Sequence, residues 1–160
     1  MSQTRFINPQ TLGKPPGYTH VVEVTAPGRI VYIAGQLGVD RDGTVVGDFR
    51  RQAVQTFENL KTALAAVGAQ FRHVVKLNNY LVDRADLPTF REVRDSYLAE
   101  NDRPASTTIA ISGLAREGAL IEIEAVAVLP AAARAKAASK AAGKARSARS
   151  PRRRARAKRR

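Results

Sequence analysis

Two stretches of β-branched residues, 21–25 and 30–34, flank Pro27-Gly28, whose dihedral preferences suit a turn. That arrangement predicts a hairpin. Asp42-Gly43 marks a second tight turn ahead of Val45-Val46. From Asp48 the period changes: Ala53, Phe57, Leu60, Leu64 and Val67 recur at helical steps and form one apolar face. Asp48 suits the N-cap of that helix, and Gly68 suits its end. Residues 74–82 return to strand chemistry. Asp86 opens a second helix with Leu87, Phe90, Val93 and Tyr97 on one side, and Pro88 fits its first turn. Two further strands, 107–112 and 119–129, are joined through Gly113 and Gly118. The order β-β-α-β-α-β-β predicts an α+β fold, a mixed sheet with both helices on one face.

The last strand separates two sets of side chains. Ile121, Ile123, Ala125, Ala127 and Leu129 make a continuous apolar row, as a helix-covered face requires. Leu120, Glu122, Glu124, Val126 and Val128 point the other way, two carboxylates followed by two valines. Valines on a fully solvated face are unusual, so this side is expected to be covered by another subunit. A homo-oligomer follows as an expectation.

Composition changes the picture in one place. The chain of 160 residues carries 27 Lys and Arg against 14 Asp and Glu, a net charge of +13. Thirteen of the cations lie in 131–160, which holds no acid, so 1–130 is electrically neutral. The expected organisation is one folded domain over 1–130 and a disordered Ala/Lys/Arg-rich tail over 131–160. Absence of cysteine excludes a disulfide scaffold, a thiolate metal site and a thiol nucleophile. His20 and His73 are the two histidines, too few for a histidine-rich centre, and neither metal nor cofactor is expected. No apolar run reaches the roughly 18–20 residues that span a bilayer. No signal-type stretch follows Met1-Ser2-Gln3-Thr4-Arg5, so a cytoplasmic protein without membrane attachment is expected.

Several short segments then fall into a familiar order: Gly17-Tyr18-Thr19, Ala34-Gly35-Gln36, Gln52 through Asn59-Leu60, Pro104-Ala105 and Ile121-Glu122-Ile123-Glu124-Ala125. Together they resemble the YjgF/RidA family, also called the L-PSP endoribonuclease family. The resemblance implies a chorismate-mutase-like fold, a homotrimer with a central β-barrel, and small-molecule clefts between subunits. It also implies hydrolysis of enamine and imine acids to ammonia and a 2-oxo acid. Glu122 matches the glutamate that positions the water, Tyr18 matches the cleft tyrosine, and Gly35-Gln36 match the loop that lends backbone to the site. One match fails. The family arginine that follows Pro-Ala is Ser106 here, and the small hydroxyl residue before Gly-Gln is Ala34.

That change has a magnitude. A guanidinium grips a carboxylate with two parallel charge-assisted hydrogen bonds, and such bonds contribute about 1.5–3 kcal/mol each. Losing roughly 3 kcal/mol in the transition state slows a reaction about a hundredfold. Arg103, three positions before Ser106, is the nearest replacement in sequence, at the cleft rim or turned away from it. His20 lies two residues beyond Tyr18 and would share its side in an extended segment, where an imidazole could donate or accept a proton. The alternatives are a ring capping the barrel for Tyr18, a backbone-bonded strand-edge imidazole for His20, a spacer for Ser106 and, for the whole, a catalytically silent small-molecule-binding trimer. The tail has its own expectation. Arg149, Arg152, Arg153, Arg154, Arg156, Lys158, Arg159 and Arg160 would bind DNA or RNA phosphates without reading sequence, or would serve only solubility.

Overall fold

A computed structural model describes residues 3–131, and the predicted periodicities become six strands and two α-helices there. In chain order these are β1 (Gln3–Ile7), β2 (Val21–Thr25), β3 (Arg29–Leu37), α1 (Phe49–Ala66), β4 (Val74–Leu81), α2 (Leu87–Tyr97), β5 (Ala105–Ala110) and β6 (Ile121–Leu129). Four of the strands form a mixed sheet in the order β3-β6-β4-β5. β4 and β5 run parallel, and α2 is the crossover that parallel neighbours require. The α+β class with a mixed sheet is therefore borne out. The basic residues of the tail, Arg149 to Arg160 among them, lie outside the described residues.

The expected hairpin is not formed. β2 pairs with β1, from Ile7↔Val21 to Gln3↔Thr25, whereas β3 pairs with β6. The link between β2 and β3 explains why. Ala26 has a φ of 50°, and Gly28 lies so close to the backbone of Pro130 and Ala131 that a Cβ there would overlap them. The turn thus hands the chain from one sheet to the other and packs against the end of β6. β1 escapes sequence reading because only Phe6 and Ile7 in Gln3–Ile7 are apolar. The last two strands also shift: β5 starts at Ala105, opposite Lys76, and β6 starts at Ile121.

The helices follow their predicted faces. Asp48 accepts a hydrogen bond from the Arg51 N–H at 2.9 Å, and Gly68, with a φ of 73°, ends α1. Ala53, Phe57, Leu60 and Leu64 are buried against the sheet. Asp86 makes no side-chain cap for α2; instead Asp83 accepts from the Ala85 N–H at 2.8 Å, in a short 3-10 turn before the helix. Phe57 stacks on Tyr97 at 4.9 Å and on Phe90 at 6.4 Å, which joins the helices through aromatic rings. The Tyr97 hydroxyl completes the joint by donating to Glu58 at 2.9 Å.

The two rows of β6 behave differently, as their chemistry demands. Ile121, Ile123, Ala125, Ala127 and Leu129 are buried. On the other side Val126 stands opposite Tyr32 and Val128 opposite Ile30, and Tyr32 and Ile30 are 78% and 49% exposed.

Candidate active site

β3 carries a β-bulge between Ile33 and Gln36, where Ile33 faces Ala125 but Gln36 faces Ile123. One extra residue on β3 swings the Gly35 backbone across the neighbouring strand. Glu122 fills the space: a Cβ on Gly35 would overlap its Oε1. Glycine is needed here for close approach. The Gln36 side chain folds back to donate to the carbonyls of Ala34 and Gly35, at 3.1 and 3.3 Å. Two polar residues of α1 hold the strand's exit. Asn59 donates to the carbonyls of Leu37 and Val39, at 3.0 and 2.8 Å. The buried Gln52 donates to Gly118 and accepts from the Leu120 N–H, so it ties α1 to the loop before β6.

Glu122 and Glu124 share a face but not an environment. Glu124 accepts from the Tyr80 hydroxyl at 3.1 Å and from Asn78 at 3.2 Å. Tyr80 is correspondingly harder to ionise, its pKa raised first by that hydrogen bond to Glu124. No side chain among the described residues donates to Glu122. Of the two carboxylates, Glu122 is therefore the one left to engage a ligand or a water.

A second group of candidates gathers elsewhere. Gly17, with a φ of 90°, and the Thr19 N–H, bonded to the Pro104 carbonyl at 3.2 Å, bring Tyr18 to the start of β5. Tyr18 and Ser106 line a cleft of about 370 Å³ between β5 and the α2 region, together with Thr108, Arg84, Arg91 and Arg94. Leu81, Leu87 and Ile109 supply an apolar wall. Asn79, buried beneath, donates to the hydroxyls of Ser106 and Thr108 at 2.9 and 3.1 Å. It supports the cleft floor from below.

The Tyr18 and His20 rings meet edge to face, 5.3 Å apart, so the pair does share a side. His20 Nε2, however, lies 2.8 Å from the Gly13 carbonyl, and its backbone N–H donates to Asn8 at 2.9 Å. That is the backbone-bonded arrangement. Arg103 is also committed. It pairs with Asp95 at 2.5 Å, reaches the Gly17 carbonyl at 3.4 Å, and lines a neighbouring cleft of about 650 Å³ rather than the one holding Ser106. Within one chain, Glu122, Gly35 and Gln36 form one group and Tyr18 and Ser106 the other. Glu122 does not line either cleft.

The arginines of the α2 region escape sequence reading. Arg94 is only 4% exposed and pairs with Asp95 at 2.8 Å. Burial lowers its pKa, Asp95 opposes that, and Arg103 and Arg91 add to the lowering. Its position beside the apolar Val93 was the one available signal, yet an arginine there reads equally as a solvated flank. Among the described residues no cluster of His, Asp or Glu could hold a metal ion, and no helix is long and apolar enough to cross a membrane.

An α+β sheet with a glutamate seated under a glycine bulge, and a tyrosine-lined cleft at a parallel edge strand, defines the class. A profile of the family described as "Endoribonuclease L-PSP" matches residues 12–129, and the chain belongs to that family, the YjgF/RidA family of the sequence resemblance. It is similar to 2-iminobutanoate/2-iminopropanoate deaminase of Dermatophagoides farinae, 32% identical over 132 residues, covering 81% of this chain and 99% of the relative. It is similar to 3-aminoacrylate deaminase RutC of Acinetobacter baylyi, 35% identical over 117 residues, covering 72% and 91%. Among solved structures, the Rid-family protein YyfB of Yersinia pestis, of unknown function, superposes with a TM-score of 0.70 at 37% identity, covering 79% of this chain and 98% of that one.

Proposed function

We propose that the protein is a deaminase-type hydrolase of small enamines, imines or related labile metabolites, working in clefts between the subunits of a homotrimer. The observation that carries this reading is Glu122, a carboxylate seated against Gly35 without a side-chain donor among the described residues, while its neighbour Glu124 is bonded to Tyr80 and Asn78. Family membership and relatives named as deaminases support it.

The chemistry is a hydration followed by an elimination. A water oxygen bonds to the carbon of the protonated imine, whose C=N π pair moves onto nitrogen, while one water proton passes to the Glu122 carboxylate. The resulting carbinolamine receives that proton on nitrogen, its C–N bond breaks, and its hydroxyl proton is released as the carbonyl forms. The products are ammonia and an oxo compound. Glu122 supplies the base and then the acid, a contribution usually of about 10²–10⁴ in rate. Because Glu122 and the Tyr18–Ser106 cleft lie apart within one chain, the reading requires a second copy to bring them together. The exposed Tyr32 and Ile30 on β3, which stand opposite Val126 and Val128 of β6, favour such a neighbour, since an apolar patch on a sheet face marks an interaction surface.

The test is ammonia release from a panel of imino acids and neutral enamines. Glu122→Gln should lower kcat about 10²-fold or more with unchanged thermal unfolding. Equal rates for the two proteins sink the proposal.

A second reading concerns 131–160 and can hold alongside the first. Its thirteen cations without an acid favour non-specific binding to DNA or RNA phosphates. If about six to ten engage, affinity should fall about 10³–10⁵-fold between 50 and 200 mM salt. Undiminished binding by a chain ending at residue 130 refutes it.

A further inference from the structure

The cleft that holds Ser106 is basic without being neutralised. Three guanidinium groups line it, from Arg84, Arg91 and Arg94, and no carboxylate does. Arg94 is accounted for: it is buried, bonded to Asp95, and pressed by the Gly17 backbone, where a Cβ would overlap its guanidinium. Arg84 and Arg91 are exposed and make neither an ion pair nor a side-chain hydrogen bond with another described residue. Arg91 and Arg94 are three apart on α2 and so share a helix face, while Arg84 comes from the turn before the helix. Holding like charges together around one concavity is unfavourable unless an anion enters it. The same cleft is lined by Tyr18, Ser106 and Thr108, the latter two held by the buried Asn79, and Leu81, Leu87 and Ile109 form the apolar wall. A volume of about 370 Å³ suits a small molecule.

We propose that Arg84 and Arg91, backed by Arg94, are the anion grip of this cleft, and that its ligand is a small organic acid with a short apolar side. The carboxylate contact has then moved from strand β5, where Ser106 leaves room for it, to the region of helix α2. Arg84 and Arg91 are specificity residues for the acid group. The proposal rests on the hydrolase reading only for what happens at the carbon beside that group.

Calorimetric titration of the full chain with 2-oxobutanoate and with its methyl ester is the test. The basic tail is common to every variant, so it cannot produce differences between them. The acid should bind at least about tenfold tighter than the ester, because two charge-assisted bonds are lost on esterification. Arg91→Gln and Arg84→Gln should each weaken the acid by about tenfold, and the double variant should show no preference for it. Arg91→Lys should fall between, since a lysine keeps the charge but not the fork. Both side chains are exposed, and unchanged circular dichroism would confirm that the variants fold. Equal binding of acid and ester, no binding of either, or an acid preference that survives the double substitution would overturn the grip. Acid preference without ammonia release would remove the hydrolase reading and leave the grip. Ammonia release without acid preference would do the reverse.

Discussion

The helix-covered and open faces of the four-stranded sheet contrast in what they ask of their residues. Under the helices, β6 places Ile121, Ile123, Ala125, Ala127 and Leu129 in one buried row, and Phe57, Leu60 and Leu64 close over it. Every one of these side chains is accounted for by burial. On the open face the same strand places Glu122 and Glu124 in line with two valines, beside an exposed Tyr32. There, burial within one chain explains little, and Glu122 lies against a glycine bulge that a closed ladder would not need. One face holds the fold together; the other leaves Tyr32 and Ile30 exposed beside Glu122's strand, as the proposed partner surface would require.

The largest effect expected from breaking this contrast is on the covered face. Phe57 is fully buried and stacks on both Phe90 and Tyr97. Phe57→Ala should cost about 3–5 kcal/mol, the usual range for a buried aromatic truncation. Denaturant unfolding measures it. Activity per folded molecule should remain unchanged, and a selective loss of activity at full stability would contradict the division between the faces.

An intermediate effect is expected where the open face meets the bulge. Gly35→Ala introduces a methyl group into the space of the Glu122 carboxylate. Either the carboxylate or the β3 backbone must move, at a cost of about 1–3 kcal/mol for overpacking. Ammonia release should fall more steeply than stability, because the displaced group is the proposed base. Parallel rate and unfolding measurements separate the two. A stable, fully active Gly35→Ala protein would mean that Glu122 can leave the bulge without consequence.

Sequence legibility follows the same division. The covered face was readable because burial imposes a period: Ala53, Phe57, Leu60 and Leu64 on α1, and alternate residues on β6. Glu122 was readable as one of two acids interrupting an apolar row. The pattern alone did not separate it from Glu124, although the resemblance did; the physical difference lies in Tyr80 and Asn78, which reach Glu124 across a strand pairing that only the sheet order supplies. The pairing of β2 was misread because Pro27-Gly28 suits a hairpin turn and an inter-sheet link equally well, and contact with Pro130 and Ala131 decides between them. The basic cleft was hidden for a third reason. Arg84, Arg91 and Arg94 look like ordinary solvated helix residues until β5 is placed beside them.

The smallest effect sharpens the contrast at its edge, where the covered face ends in a polar contact. Tyr97 packs its ring on Phe57 and donates its hydroxyl to Glu58, and burial followed by that bond pushes its pKa up to about 12. The folded state thus disfavours the phenolate relative to an unfolded tyrosine near 10. Its contribution to stability is complete below pH 10 and declines as pH rises from there through about 12. Tyr97→Phe keeps the stack and removes the hydrogen bond, so it should cost about 1 kcal/mol at neutral pH. The same variant should lose part of the stability decline above pH 10, which denaturant unfolding at pH 8 and at pH 10.5 measures. An unchanged decline would assign the alkaline sensitivity to other groups. Glu122 chemistry should be indifferent to the substitution throughout, because Tyr97 and Glu122 sit on opposite faces of the sheet.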